Sequence, residues 1–192
     1  MTPIQRLNLW LSEEEKAGSP NPYHGILSTA TVAGVPHARV VAIREITEEG
    51  LLMFTQKSTR KVMEMTNNPK FSVVFWFALH QREAIVEGAV EALTESENRP
   101  YWDSLTRERQ LRFCSYAPIS SQPISSKAEL AVRQSETEHQ YEGQPVPMSP
   151  YYCGFRLLPE RIMFYATRTG ELSDVIEYRK QNHDWTEQLL SP

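Results

Sequence analysis

Cysteine is nearly missing from this 192-residue chain, and glycine is sparse: two of the former and eight of the latter. Cys114 and Cys153 form no C-x-x-C pair and no cluster of metal ligands, so neither a zinc site nor a disulfide framework is expected. The five histidines offer no pair at i, i+4 or another ligand spacing, which removes the usual helical metal motifs. No apolar run approaches the roughly 20 residues that cross a bilayer as a helix. The opening MTPIQRLNLWLSEEEKAG lacks a basic stretch followed by an apolar one, so no secretory leader is expected. Positive charge is also short, with 20 Lys and Arg against 24 Asp and Glu and a net charge of −4. A general nucleic-acid binder needs a clearly basic surface, so that class is disfavoured. G-x-S-x-G, Walker A and G-x-G-x-x-G patterns are absent, so the sequence supports no α/β-hydrolase, P-loop enzyme or Rossmann dehydrogenase. The expectation is a soluble cytoplasmic protein with no metal, no nucleic-acid partner and no membrane segment.

What is present is enough for one domain with a real core, since a chain of this size buries on the order of 70% of its unfolded surface. Residues Pro3 to Lys16 carry Ile4, Leu7, Trp10 and Leu11 at helical spacing. The Pro/Gly-rich stretch 18–22 ends that helix. Gly25 to Val32 and His37 to Ile46 flank an Ala33-Gly34-Val35-Pro36 turn and read as a hairpin. Strands follow at Leu51 to Thr55, Phe71 to Phe77 and Glu83 to Leu93. A short helix from Arg60 is stopped by Asn67-Asn68-Pro69. One helix is read from Glu95 to Phe113. Another is signalled by a Ser126–Glu129 capping box and runs toward His139. Tyr116 to Ser125 and Gly143 to Pro150 read as loops, and Tyr152 to Pro159 and Arg161 to Ala166 as two strands. The four tryptophans are scattered and are read as core or interface residues. The pattern is a mainly β, antiparallel barrel with peripheral helices.

Strand alternation puts Arg39 on one face with Val41 and Ile43, and Val40, Ala42 and Arg44 on the other. An arginine among Val and Ile needs an anion or a carboxylate. The Ser58-Thr59-Arg60-Lys61 turn offers hydroxyls, cations and the free N–H groups of a helix start, a natural phosphate cradle. Two readings stand side by side. Arg39 is either part of a phosphate site or half of an internal ion pair, with Arg60 and Lys61 ordinary solvated residues.

The order Arg39-Val-Val-Ala-Ile-Arg44, Leu52-Met-Phe-Thr55, Ser58-Thr-Arg-Lys61, Asn67-Asn-Pro69 and Arg82-Glu-Ala-Ile-Val-Glu-Gly88 resembles the pyridoxamine 5′-phosphate oxidase family. Gly154-Phe-Arg156, Pro159-Glu-Arg-Ile162, Phe164, Tyr178 and Trp185 extend the resemblance nearly to the last residue. It implies an FMN-binding split β-barrel with Greek-key-like strand order, working as a homodimer with flavin at the interface. Residues 19–93 would form the barrel core, 94–142 inserted helices and 150–192 a C-terminal dimerisation segment of one domain, 1–192. The resemblance implies that Arg39, Arg60 and Lys61 take the FMN phosphate with help from Thr55 and Thr59. Val40, Val41, Ala42 and Arg44 would run beside the flavin, with Arg44 in place of a lysine, and Phe54 would take the aromatic position.

The departures bear on substrate. Glu83 stands where the family has a glutamine near the flavin, a charge to be offset by protonation or by a pair such as Arg82. Ser120-Ser121 stands for a Gln-Ser pair, and Tyr165 for a tryptophan. The family's Arg-Leu-His-Asp-Arg motif reads Glu171-Leu172-Ser173-Asp174-Val175. Of three residues that contact the substrate phosphate, Tyr101 is kept, while Leu105 and Arg109 stand where arginine and serine are usual. The implied substrate site is Arg44, Tyr101, Arg109, Glu171 and Ser173, with no catalytic acid or base assigned. The leading expectation is an FMN-dependent oxidoreductase for a small substrate other than pyridoxamine phosphate. The alternatives are a genuine pyridoxamine/pyridoxine 5′-phosphate oxidase gripping phosphate through Arg44, Arg109 and Arg168, a non-catalytic flavin-binding dimer, and a fold turned to haem or a deazaflavin.

Overall fold

The computed structural model describes residues 1–182 and 184–192. Helix α1 (Pro3–Lys16) opens on a capping box, in which Thr2 accepts from the Gln5 amide and the Gln5 side chain accepts from the Thr2 amide. Strands β1 (His24–Ala30), β2 (Pro36–Thr47) and β3 (Gly50–Gln56) follow. Helix α2 (Arg60–Asn67) then leads into β4 (Lys70–Phe77) and β5 (Arg82–Ala92). Helices α3 (Glu95–Asp103), α4 (Arg107–Tyr116) and α5 (Lys127–Gln140) precede β6 (Tyr152–Ala166), β7 (Asp174–Gln181) and β8 (Asp184–Leu190).

All strand pairs are antiparallel, in the order β3-β2-β1-β4-β5-β6-β7-β8, and an additional β3–β6 pairing closes six of them into a barrel. Strand β6 serves two partners besides β5. Its residues Tyr152 to Leu157 pair with β3, and Arg161 to Ala166 pair with β7. Closure leaves the barrel without free edges and makes its interior a packed core. Leu27, Leu51, Met53, Val73, Phe75, Val86, Leu157 and Ile162 fill that core. Helix α1 stoppers it with Ile4, Leu7 and Leu11, and Trp10 meets Phe77 and Phe164 edge-on at 5.8 and 5.0 Å. A second cluster under α3 and α4 centres on Trp102, which is fully buried, with Phe113, Ala117, Val146 and Tyr152.

Several elements differ from the sequence reading. The single helix over Glu95 to Phe113 is two, because Thr106 starts a new one by accepting from the Arg109 amide. The two strands after Tyr152 are one. Pro159, which lacks an N–H, sits opposite Gly88 at the bulge between Glu87 and Gly88 and so does not interrupt the ladder. Ser126 makes no side-chain cap; the Glu129 carboxylate accepts from the amide and hydroxyl of Ser125 instead. Strands β7 and β8 had no counterpart in the reading.

On the outer face, Val40, Ile26, Val74, Ile85 and Met163 line up across five strands. Val40, Ile26 and nearby Trp76 are exposed. Among the described residues, no helix is long and apolar enough to cross a membrane.

Candidate functional site

The end of β3 and the start of α2 bring together the residues of the basic turn. Lys61 donates to Thr55 Oγ1 at 3.0 Å and to Thr59 Oγ1 at 3.2 Å. Thr59 is the N-cap, but its hydroxyl donates to the Gln56 carbonyl and leaves the helix start uncapped. Among the described residues, the Arg60 and Lys61 amides meet no acceptor. Burial holds the Lys61 ammonium below its ordinary pKa, and nearby Arg39 adds to the depression. Arg39 is lowered by burial too, Glu64 opposes that shift, and Arg60 reinforces it. Arg39 donates to Leu27 O at 3.2 Å and to Thr29 Oγ1 at 2.7 Å, and meets Glu64 Oε2 at 3.4 Å. Arg39 is therefore half of an internal ion pair, and it also lies within electrostatic reach of Arg60 and Lys61.

Of these three cations Arg39 meets the Glu64 carboxylate, whereas among the described residues Arg60 and Lys61 form no salt bridge. Buried hydroxyls, an ammonium whose hydrogen-bond partners are hydroxyls, and open helix N–H groups form a donor set that fits a phosphate monoester dianion.

Alternation along β2 turns Val41 and Ile43 to the core and Val40 and Ala42 outward. At Arg44 the register shifts, with Ile43 opposite Met53 and Glu45 opposite Leu52. Arg44 is the extra residue of a β-bulge, which turns both Arg44 and Glu45 outward. Arg44 opens onto a cleft of about 250 Å³ lined also by Ala42, Phe54, Tyr101, Arg109 and Arg112, among others. Its floor is aromatic. The Phe54 ring lies 5.5 Å from Tyr152 at an interplanar angle of 4° and 4.5 Å from Tyr101. Gly154, paired with Phe54 across the strands, makes this possible, since a Cβ there would fall 2.6 Å from the Phe54 ring. Tyr101 donates to Glu45 Oε2 at 2.6 Å, and that bond raises the phenol's pKa, with burial adding to it. The cleft combines three guanidinium groups with a flat apolar floor, an arrangement suited to a planar anion.

The other sequence candidates lie elsewhere. Glu83 sits between Trp76 on β4 and Tyr165 on β6. Arg82 does not pair with it. Adjacent strand residues point to opposite faces, and Arg82 instead reaches Glu13 at 2.7 Å and lies over the Trp10 ring. Ser120 and Ser121 follow a short 3-10 turn after α4, and Ser121 has φ 64°, a left-handed value that strains a serine. Glu171 and Ser173 belong to the β6–β7 loop, outside the arginine cleft. Arg168, the alternative phosphate grip, is held there by Asp174 at 2.5 Å and by Glu171 at 3.5 Å.

Glu45, Gln56, Glu64, Arg112 and Tyr116 were missed. Arg112 follows Arg109 by one helical turn, so helical spacing carried its signal. Gln56 donates to the Tyr116 hydroxyl at 3.0 Å, a contact over 60 residues with no local signature.

Comparison with known families completes the assignment. The sequence profile described as "Pyridoxamine 5'-phosphate oxidase" matches residues 11–141. The chain belongs to the pyridoxamine 5′-phosphate oxidase family. A second profile, the family's "Pyridoxine 5'-phosphate oxidase C-terminal dimerisation region", matches residues 152–192 and indicates a homodimer. The pyridoxine/pyridoxamine 5′-phosphate oxidase of Rubrobacter xylanophilus is 34% identical over 190 residues, covering 99% of this chain and 87% of the relative. The oxidase of that name from Thermosynechococcus vestitus is also 34% identical over 190 residues, covering 99% and 89%. PhzG from Burkholderia lata, solved with tetrahydrophenazine-1-carboxylic acid, superposes with a TM-score of 0.88 at 26% identity, covering 99% of this chain and 92% of that one. An FMN-binding protein of Nostoc punctiforme shares the fold at a TM-score of 0.79 and 15% identity, covering 100% and 99%. This chain therefore has the split barrel of a family of oxidoreductases.

Proposed function

We propose that the protein is a cytoplasmic, homodimeric FMN-dependent oxidoreductase acting on a flat, anionic small molecule other than pyridoxamine or pyridoxine phosphate. The observation that carries the flavin reading is Lys61 held by two threonine hydroxyls beside Arg39 and Arg60. In this reading Arg39, Thr55, Thr59, Arg60 and Lys61 bind the FMN phosphate. Val40, Ala42, Phe54, Glu83, Ser120, Ser121 and Tyr165 lie toward the rest of the cofactor, and the exposed apolar row on the sheet packs against the second copy. Bound FMN supplies two-electron redox chemistry. The chain's own residues bind and orient the substrate. Arg44, Arg109 and Arg112 hold its acid group, while Phe54 and Tyr101 flank its ring.

The Burkholderia lata neighbour holds a ring acid without phosphate, which supports this substrate class. Glu171 and Ser173, in place of arginine and histidine, weaken the case for pyridoxamine phosphate. A second reading, a genuine pyridoxine/pyridoxamine 5′-phosphate oxidase, is favoured by the three arginines of the cleft, since guanidinium groups also grip phosphate. Purified protein is expected to be yellow and to release FMN on denaturation. Colourless protein that ignores added FMN would overturn the flavin reading. Peroxide release with pyridoxamine or pyridoxine phosphate would decide for the second reading, and release with a ring carboxylate alone for the first.

A further inference from the structure

We infer that Glu64 is a positioning residue for the phosphate site, holding Arg39 in place before any ligand arrives; this rests on the proposal that Arg39, Arg60 and Lys61 bind a flavin phosphate. Glu64 is only 5% exposed, a costly position for a carboxylate unless it is paired with charge. Its Oε2 accepts from the Thr29 hydroxyl and meets Arg39, and its Oε1 lies 2.6 Å from His37 Nδ1. Burial pushes the Glu64 pKa up, but hydrogen bonding to Thr29 and the nearby His37 and Arg39 outweigh it and keep the group ionised. Thr29 is on β1, His37 and Arg39 are on β2, and Glu64 is on α2, so one carboxylate ties three elements together.

Placement along α2 gives this tie its consequence. Lys61 is in the first turn of the helix, and Glu64 lies three residues later, close to one turn. Fixing Glu64 against the β1–β2 hairpin therefore fixes the distance between Lys61 and Arg39. Arg39 adds to the depression of Lys61 protonation, and like charges this close would separate if free to do so. Glu64 holds Arg39 against that repulsion and leaves an excess of positive charge for the incoming anion. Charge alone acts in the opposite sense, because neutralising Glu64 makes the site more positive and more attractive to an anion. The two effects predict opposite signs.

The test compares FMN with riboflavin, which lacks the phosphate, by fluorescence titration of the full-length protein. Wild type is expected to bind FMN far more tightly than riboflavin. Glu64→Gln is expected to weaken FMN roughly 10- to 100-fold while changing riboflavin less than about threefold, the scale of a lost charge-assisted contact. Glu64→Asp, which keeps the charge and shortens the reach, is expected to restore part of the FMN affinity; it carries the same comparison if Glu64→Gln does not fold. Unchanged or tighter FMN binding in a folded variant, or equal loss for both flavins, overturns the positioning role. Wild type with equal affinity for both flavins overturns the flavin-phosphate reading itself, and this inference with it.

Discussion

Lys61 reaches back from the first turn of α2 to donate to Thr55 Oγ1 at 3.0 Å, joining the helix start to the end of β3. The contact holds an ammonium, half buried, among hydroxyls and other cations, and an anion is the group that would complete it. Lys61→Met keeps the apolar stem and removes the charge. We expect FMN affinity to fall about 10- to 100-fold, from loss of one charge-assisted contact of about 1.5–3 kcal/mol. Unchanged affinity in a flavin titration would remove Lys61 from the phosphate site.

The β6–β7 loop is exposed, and its Glu171 is engaged by Arg168 at the loop surface. Substitutions there should cost little stability, within about 0.5 kcal/mol. The double change Glu171→Arg and Ser173→His is expected to increase binding of pyridoxamine phosphate, read as perturbation of the flavin absorbance spectrum. No gain in a folded, flavin-loaded variant would refute the account of the altered substrate motif.

Gly88 lies at the β5–β6 bulge, where an added Cβ would fall 2.0 Å from the Leu158 carbonyl oxygen. Backbone cannot yield as a side-chain tip can, so Gly88→Ala must distort the ladder opposite Pro159. A loss of about 1–3 kcal/mol is expected, visible as a lower urea midpoint. A variant as stable as wild type would mean that the strands slide freely at this point.

Glu177 is buried on β7 and accepts from Arg179, Arg161 and Gln188. Hydrogen bonding to Arg179 leads the effects that outweigh burial and bring its carboxyl to about 2, well below the ordinary 4.5. A carboxylate with a depressed folded-state pKa stabilises fully above its unfolded value and loses that contribution as pH falls through the folded one. Stability should therefore drop between about pH 4.5 and pH 2, and Glu177→Gln should flatten that part of the profile. Urea midpoints that track wild type across this range would contradict it.

The barrel and the basic turn were legible because their signals are local. Alternation on β2 separates Val41 and Ile43 from Val40 and Ala42, and Thr59-Arg60-Lys61 lies within one helical turn of the β3 end. The helix break at Thr106 was harder, since it depends on a single capping hydroxyl within a polar stretch. Strand β7 hid itself by burying Glu177, one of whose partners, Arg161, lies on another strand.

By itself the sequence determined an acidic, mainly β chain with a cation cluster at a helix start. Those properties follow from composition, period and near-neighbour spacing. Tertiary structure alone decided that Arg39 answers to Glu64, that Arg82 turns from Glu83 to Glu13, and that Arg44, Arg109 and Arg112 share one cleft. Each of those relationships depends on a strand face, a bulge or a helix seated across the barrel. A side chain's partner there is set by where the backbone delivers it, and not by its distance along the chain.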